Sequence, residues 1–259
     1  MPHTILMGDP TFFSIKGGAN PHTRDKWGRR KTVDKAKAID QWHTLKNILE
    51  SHGLTVWVVP PDPAWPGTVY PANAGFMDPP SSLFYLSNLL PSRAGEQTIY
   101  RKLLESKGIE CRNVGFQFEG EADFFPACDE YIFTCGPIEK QRFVSRWGIP
   151  PWRRIYGFRS DEKGINELQK IIDPSSCEHV ATSSYGHGAP CPNIRKICLC
   201  KETHYHGDTV FCAFGRNREF LLAYLDGIEA GATSQLQVDY GKRLIPLSDA
   251  DAFSYAANS

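Results

Sequence analysis

Apolar residues recur at Val33, Ala36, Ile39, Trp42, Leu45 and Leu49, a three-or-four spacing that matches a helix with one buried face. The pattern predicts a helix from Thr32 to Gly53, where the glycine ends it. LTVWVVPP then reads as a buried strand. The same order returns further on: a helix over Gln97 to Ser106, Gly108 as its stop, and a short strand around Cys111 to Val114. Further strands are predicted at Thr68 to Tyr70, Leu83 to Leu86, Glu130 to Thr134 and Arg154 to Tyr156, each bounded by Gly, Pro or Ser. Asn166 to Ile172 reads as a short helix. CLCKETHYHGDTVFCAFG reads as strand, polar turn and strand, followed by the apolar stretch Phe220 to Tyr224. Alternation of helices and strands predicts the α/β class.

No Pro-rich or Gly/Ser-rich linker divides the chain and no internal repeat is evident, so one domain over residues 1–259 is expected. Asp173 to Pro192, rich in Ser, Gly, Pro and His, is the least regular stretch and reads as a long loop or an insertion. With 41% hydrophobic and 22% charged residues the chain has the make-up of a packed globular protein. Lys plus Arg and Asp plus Glu are 29 each, which gives no general attraction for nucleic acid or an anionic membrane. The N-terminal MPHTILMGDP lacks the pattern of a secretion signal and no apolar run is long enough to span a bilayer, so a cytoplasmic location is expected. Assembly into a homo-oligomer is compatible with this composition.

Eight cysteines are present, and reduced thiols packed as small hydrophobes are the expected reading. Cys191, Cys198 and Cys200, with Cys177, His187 and His204 nearby, raise zinc as an alternative, but no CxxC pair repeats at structural zinc spacing. No metal and no cofactor are expected.

Four polar motifs interrupt strand-like contexts: ANAG at 72–75, FEGEAD at 118–123, YGFRSD at 156–161 and HYHGDTVF at 204–211. Glu119, Glu121 and Asp123 form an acidic cluster preceded by two phenylalanines, suited to a cation beside an apolar wall, with a solvated acidic turn as the competing reading. His206 and Asp208, one residue apart, would share a face of an extended strand. His206 alone is open to three readings: a satisfied core histidine, a metal ligand or an acid/base group.

Asn73, Arg93, Glu119, Arg159 and the His206/Asp208 pair, taken in order, resemble the amidinotransferase, arginine deiminase and dimethylarginine dimethylaminohydrolase (pentein) superfamily. The resemblance runs from about Pro10 to the last residue and is greatest to the dimethylargininase and arginine-dihydrolase-like members. It implies a five-bladed pseudo-symmetric α/β propeller built of ββαβ units. It also implies a hydrolase or amidinotransferase acting on the guanidino carbon of arginine or a methylated arginine. By position, Glu119 and Asp208 would grip the guanidinium and His206 would move protons. Asn73 would lie beside the guanidine and Asn20, in ANPHT, would line the pocket. Arg93 and Arg159 would hold the substrate carboxylate or order the site, and Asp123 counts among the substrate-binding residues. The physical logic is direct, because a planar, permanently charged guanidinium pairs naturally with carboxylates.

Three positions depart from the family pattern: Ala122 stands where glycine is usual, Gly207 where leucine is usual, and Pro71 precedes the Asn turn. The family's nucleophile is a cysteine in a glycine-rich strand near the end of the last module. ADAFSYAANS resembles the segment before that point, so the last blade is expected to be incomplete and the nucleophile absent, with Cys212 read as core packing. A non-catalytic module that binds guanidino compounds is the alternative.

Overall fold

The computed structural model describes residues 4–15, 21–23, 27, 29–78, 81–140, 142–145, 152–173 and 193–258. The chain opens with β1 (Thr4–Gly8), α1 (Lys35–Ser51) and β2 (Thr55–Val59), the two strands pairing in parallel from Thr4↔Thr55 to Gly8↔Val59. A parallel pair needs a crossover of this length. Asp34 starts α1 by accepting the Lys37 N–H at 3.0 Å, and Gly53 leaves the helix at a φ of +79°. The helix starts three residues later and ends two residues earlier than the predicted Thr32 to Gly53, as its caps dictate.

One arrangement then occurs three times. β3 (Gly75–Asp78) and β4 (Leu83–Leu86) pair antiparallel, α2 (Glu96–Ser106) crosses over, and β5 (Cys111–Asn113) joins β4 in parallel. β6 (Phe124–Ala127) and β7 (Glu130–Cys135) repeat the antiparallel pair. Their crossover is longer, holding the paired strands β8 (Arg142–Ser145) and β9 (Trp152–Ile155) and the helix α3 (Ile165–Ile172), before β10 (Asn193–Cys198) lies parallel to β7. β11 (Phe211–Phe214), β12 (Phe220–Ala223), α4 (Ala230–Tyr240) and β13 (Leu244–Pro246) form the third ββαβ unit, and α5 (Asp249–Phe253) follows. The repeat is one of topology, carried by buried positions rather than by identical residues, which is why no sequence period announces it.

Each hydrophobic cluster straddles two successive units. Val59 of β2 packs with Phe84, Leu86, Tyr100 and Leu104 of the first ββαβ unit. Phe76 and Tyr85 of that unit join Phe118, Phe124, Phe133 and Leu168 of the second. Ile132 and Ile197 of the second join Phe211, Leu221, Tyr224 and Leu236 of the third. Middle strands such as β4 and β7 are therefore covered on both faces and read as continuous apolar runs. Among the described residues no helix is long and apolar enough to cross a membrane.

Two expectations change. Thr68 to Tyr70 is not a strand: Pro66–Val69 is a 3-10 turn, started by the fixed φ of proline and tied down by the Tyr100 hydroxyl at 3.1 Å from the Thr68 carbonyl. His206 and Asp208 do not share a strand face. His206 is extended, but Gly207–Thr209 is a 3-10 turn, so the two residues do not lie on one extended strand.

Candidate functional site

Every ββαβ unit is preceded by a single 3-10 turn: Pro71–Asn73 before β3, Gly120–Ala122 before β6 and Gly207–Thr209 before β11. The polar residues singled out in the sequence cluster on these turns. Asn73 ends the first, Glu119 and Asp123 flank the second, and His206 precedes the third, which contains Asp208. Asn73, Glu119, Asp123, Arg159 and His206 are all buried.

Two glycines let the turns approach one another. Gly120 has a φ of +65°, and a Cβ there would stand 2.6 Å from the Ala72 carbonyl oxygen and 2.7 Å from the Gly75 nitrogen. Gly207 lies against β7, where a Cβ would meet Thr134 Oγ1. The glycine that departs from the family pattern is thus required by the close contact with Thr134 and Asp123 in this chain.

Asp123 is the hub. Its Oδ1 accepts the Thr134 hydroxyl at 2.7 Å and the Gly207 N–H at 2.9 Å. Its Oδ2 accepts the Ser160 hydroxyl at 2.7 Å and faces His206 Nδ1 at 3.1 Å. Ser160 in turn accepts the Glu119 N–H at 3.2 Å. Both oxygens of Asp123 are satisfied within the protein, and one of them faces the imidazole.

The other imidazole nitrogen, His206 Nε2, lies 3.2 Å from Glu119 Oε2. With an acceptor carboxylate at each nitrogen, the ring is held as the imidazolium. Burial pulls its pKa down, but the charges and hydrogen bonds of Asp123 and Glu119 outweigh that and raise it to about 10. Burial pushes Glu119 up, and His206, Arg93 and Arg159 together bring it down to about 2. Asp208 moves the other way. Burial, with the charges of Asp123 and Glu119, raises it to about 6 against the lowering effect of His206 and an Asn258 hydrogen bond.

Arg93 spends its donors inside the protein. Nε and Nη2 reach Glu96 at 3.0 and 2.8 Å, Nη1 reaches Glu119 at 3.1 Å, and Nη2 also reaches the Gly67 carbonyl at 3.2 Å. Arg159 Nε lies 4.0 Å from Glu119 Oε1, with its guanidinium over the Tyr205 ring at 4.7 Å. Both arginines lie against the Glu119 carboxylate. Two shielded oxygens, Glu119 Oε1 and Asp208 Oδ1, make no hydrogen bond among the described residues. Leaving such acceptors unmet is costly.

Sequence reasoning passed over Thr134, Ser160 and Glu96. Thr134 hides in an apolar strand and Glu96 in the first turn of a helix, and only Ser160, next to Arg159 in YGFRSD, carried a signal. Asn20, Cys177, His187 and Cys191 lie outside the described residues. Among those described, no group of three His, Cys, Asp or Glu side chains is arranged to hold a metal ion. Cys111, Cys128, Cys135, Cys198, Cys200 and Cys212 are free thiols. Burial pushes the pKa of Cys111, Cys135, Cys198, Cys200 and Cys212 up from the ordinary thiol value.

No protein-family model matches the chain. The bifunctional arginine dihydrolase/ornithine cyclodeaminase AgrE of Nostoc is 24% identical over 259 residues, covering 98% of this chain and 30% of its own length. ArgZ of Synechocystis, described in the same terms, is 24% identical over 98% of this chain and 30% of its own. The dimethylarginine dimethylaminohydrolase of Mycobacterium tuberculosis is 22% identical over 98% of this chain and 68% of its own. The chain therefore spans under a third of the two cyanobacterial proteins. In three dimensions the N-terminal domain of ArgZ superposes with a TM-score of 0.76 at 21% identity, over 100% of this chain and 80% of that one. A dimethylarginine dimethylaminohydrolase superposes with a TM-score of 0.63 at 15% identity, again over 100% and 80%. In fold, in the order of the site residues and in these relatives, the chain is similar to the amidinotransferase, arginine deiminase and dimethylarginine dimethylaminohydrolase superfamily, the penteins.

Proposed function

We propose that this site receives the guanidino group of arginine or a methylated arginine and serves hydrolysis at the guanidino carbon. The observation that carries the reading is the pair of shielded, unmet carboxylate oxygens, Glu119 Oε1 and Asp208 Oδ1, beside a doubly hydrogen-bonded His206. A guanidinium offers planar donors to both oxygens at once. Its charge would draw the Asp208 proton off, replacing the repulsion among carboxylates by attraction.

In this reading Glu119 and Asp208 grip the substrate, and His206 gives a proton to the leaving amine and takes one from the incoming water. Arg93 and Asp123 hold the gripping groups in place, and Asn73, ending the first turn, lies beside the guanidine. Asn20 belongs to the same proposal as a pocket residue. The relatives support the substrate class: the ArgZ domain is described as an arginine dihydrolase and was captured with its product. The three successive ββαβ units, each packed on the next, support the five-bladed propeller as the framework.

Covalent catalysis requires a thiolate nucleophile. Burial raises the pKa of five of the described thiols, and none of the six hydrogen-bonds to Glu119, His206 or Asp208. This favours a second reading for residues 1–259 taken alone, a guanidino-binding module without turnover. The discriminating assay measures ammonia, citrulline and ornithine release from arginine and dimethylarginine, with His206→Ala as control. Turnover that falls by about 10²- to 10⁴-fold in the control supports the hydrolase. Saturable binding with no product supports the binding module, and neither binding nor turnover rejects both.

A further inference from the structure

Beyond the groups that meet a substrate, we propose that Glu202 is a positioning residue that locks Arg159 and the His206 segment into one unit. The inference rests on the guanidino-site reading above. Glu202 Oε1 accepts two consecutive N–H groups, Tyr156 at 3.3 Å and Gly157 at 3.2 Å. Adjacent N–H groups that converge on one carboxylate form an anion nest. The carbonyls of the same two residues accept from Arg159 Nη1 at 3.5 and 3.3 Å. One turn thus faces Glu202 with its donors and Arg159 with its acceptors.

That turn has a special shape. Gly157 has a φ of +67°, and a Cβ on it would lie 2.6 Å from the Glu139 carbonyl oxygen. Glycine permits the conformation and the Glu202 carboxylate holds it. Glu202 also begins the segment that ends at His206. Three residues on from it, the Tyr205 ring lies under the Arg159 guanidinium at 4.7 Å, and the Tyr205 and His206 rings are 4.7 Å apart. The two chain segments are therefore pinned together at both ends, by Glu202 on the 156–157 turn and by Tyr205 under Arg159.

Arg159 is tied to this turn through the same two carbonyls. Its bonds to the turn are 3.3 and 3.5 Å and its Nε is 4.0 Å from Glu119 Oε1. Without Glu202 the two N–H groups lose their acceptor and the turn is free to relax. The guanidinium then drifts from Glu119, the carboxylate that also holds His206 Nε2. The two bonds from the 156–157 turn end on one oxygen of Glu202, which glutamine also offers, whereas aspartate is one methylene too short and alanine offers nothing.

The test is calorimetric titration of L-arginine into the wild-type chain, Glu202→Gln, Glu202→Ala, Glu202→Asp, Arg159→Ala and the Glu202→Ala/Arg159→Ala double variant. Glu202→Gln should bind within about twofold of wild type, and the Ala and Asp variants about tenfold or more weaker. The double variant should bind no more weakly than Arg159→Ala, because Glu202 acts through Arg159. Additive losses, wild-type affinity in the Asp variant, or a Gln variant as weak as Ala would overturn the inference. If the alanine variant fails to fold, the Asp and Gln variants still carry the comparison. If the wild-type chain binds no arginine, the guanidino reading fails, and the positioning role is read separately from the Arg159 Nε–H resonance. Slow exchange in wild type and Gln that is lost in Ala and Asp supports the clamp, and slow exchange retained in Ala and Asp refutes it.

Discussion

His206 Nδ1 lies 3.1 Å from Asp123 Oδ2, a residue 83 positions earlier in the chain, and the same carboxylate binds the N–H of Gly207 through its other oxygen. One side chain thereby fixes both the backbone and the ring of the His206 turn, and joins the turns that precede the second and third ββαβ units.

Replacing Asp123 should therefore be severe. Asp123→Asn puts an amide where both oxygens now accept, turning donors of His206, Ser160, Thr134 or Gly207 against another donor. Removal of one partner from a buried charged pair typically costs about 3–5 kcal/mol. Denaturant unfolding should show a loss of that order, and a loss under about 1 kcal/mol would mean that the four hydrogen bonds to Asp123 contribute little.

The raised pKa of His206 sets a pH limit. The group binds its proton more tightly folded than unfolded, so its contribution is complete below about 6.5 and is lost as pH rises through about 10. Glu119, lowered to about 2, contributes above its ordinary value of 4.5 and loses that contribution only as pH falls through about 2. Unfolding free energy should decline between pH 7 and pH 10, and His206→Gln should flatten that decline. Equal slopes in the two proteins would refute a buried imidazolium.

Gly120 is the tightest point between two of the turns. Gly120→Ala forces a Cβ to 2.6 Å from the Ala72 carbonyl at a φ of +65°, a conformation that side chains rarely adopt. Destabilisation of more than about 1 kcal/mol is expected. Thermal unfolding checks this, and an unchanged transition would show that the Asn73 and Glu119 turns can separate freely.

Much of this was legible in the sequence. Helical spacing located α1, α2 and α3, and apolar runs located β2, β4 and β7, because these elements bury what their pattern displays. β3 and β6 were missed because Gly75 and Pro126 interrupt them, and α4 because AGATSQLQVDY buries only Leu236 and Tyr240 and shows no apolar stripe. The site residues were legible as a set through their order, although each signal alone was weak. Their division of labour was not. Whether Asp123 meets a ligand or holds His206 depends on Thr134, Ser160 and Gly207, three contacts that only the fold brings together.

Asp208 offers the sharpest test of a guanidinium site, since its pKa near 6 falls within easy reach of experiment. A bound guanidinium favours the carboxylate, so arginine should bind well above pH 6 and lose about tenfold in affinity per pH unit below it, as the site must first shed a proton. Calorimetric titration of L-arginine from pH 5 to pH 8 in buffers of different ionisation enthalpy measures affinity and proton release together. The account predicts one saturable site, release of up to one proton near and below pH 6, and loss of that proton linkage in Asp208→Asn together with weaker binding. Absence of saturable binding at millimolar arginine at pH 8, or binding that is indifferent both to pH and to Asp208→Asn, would contradict it.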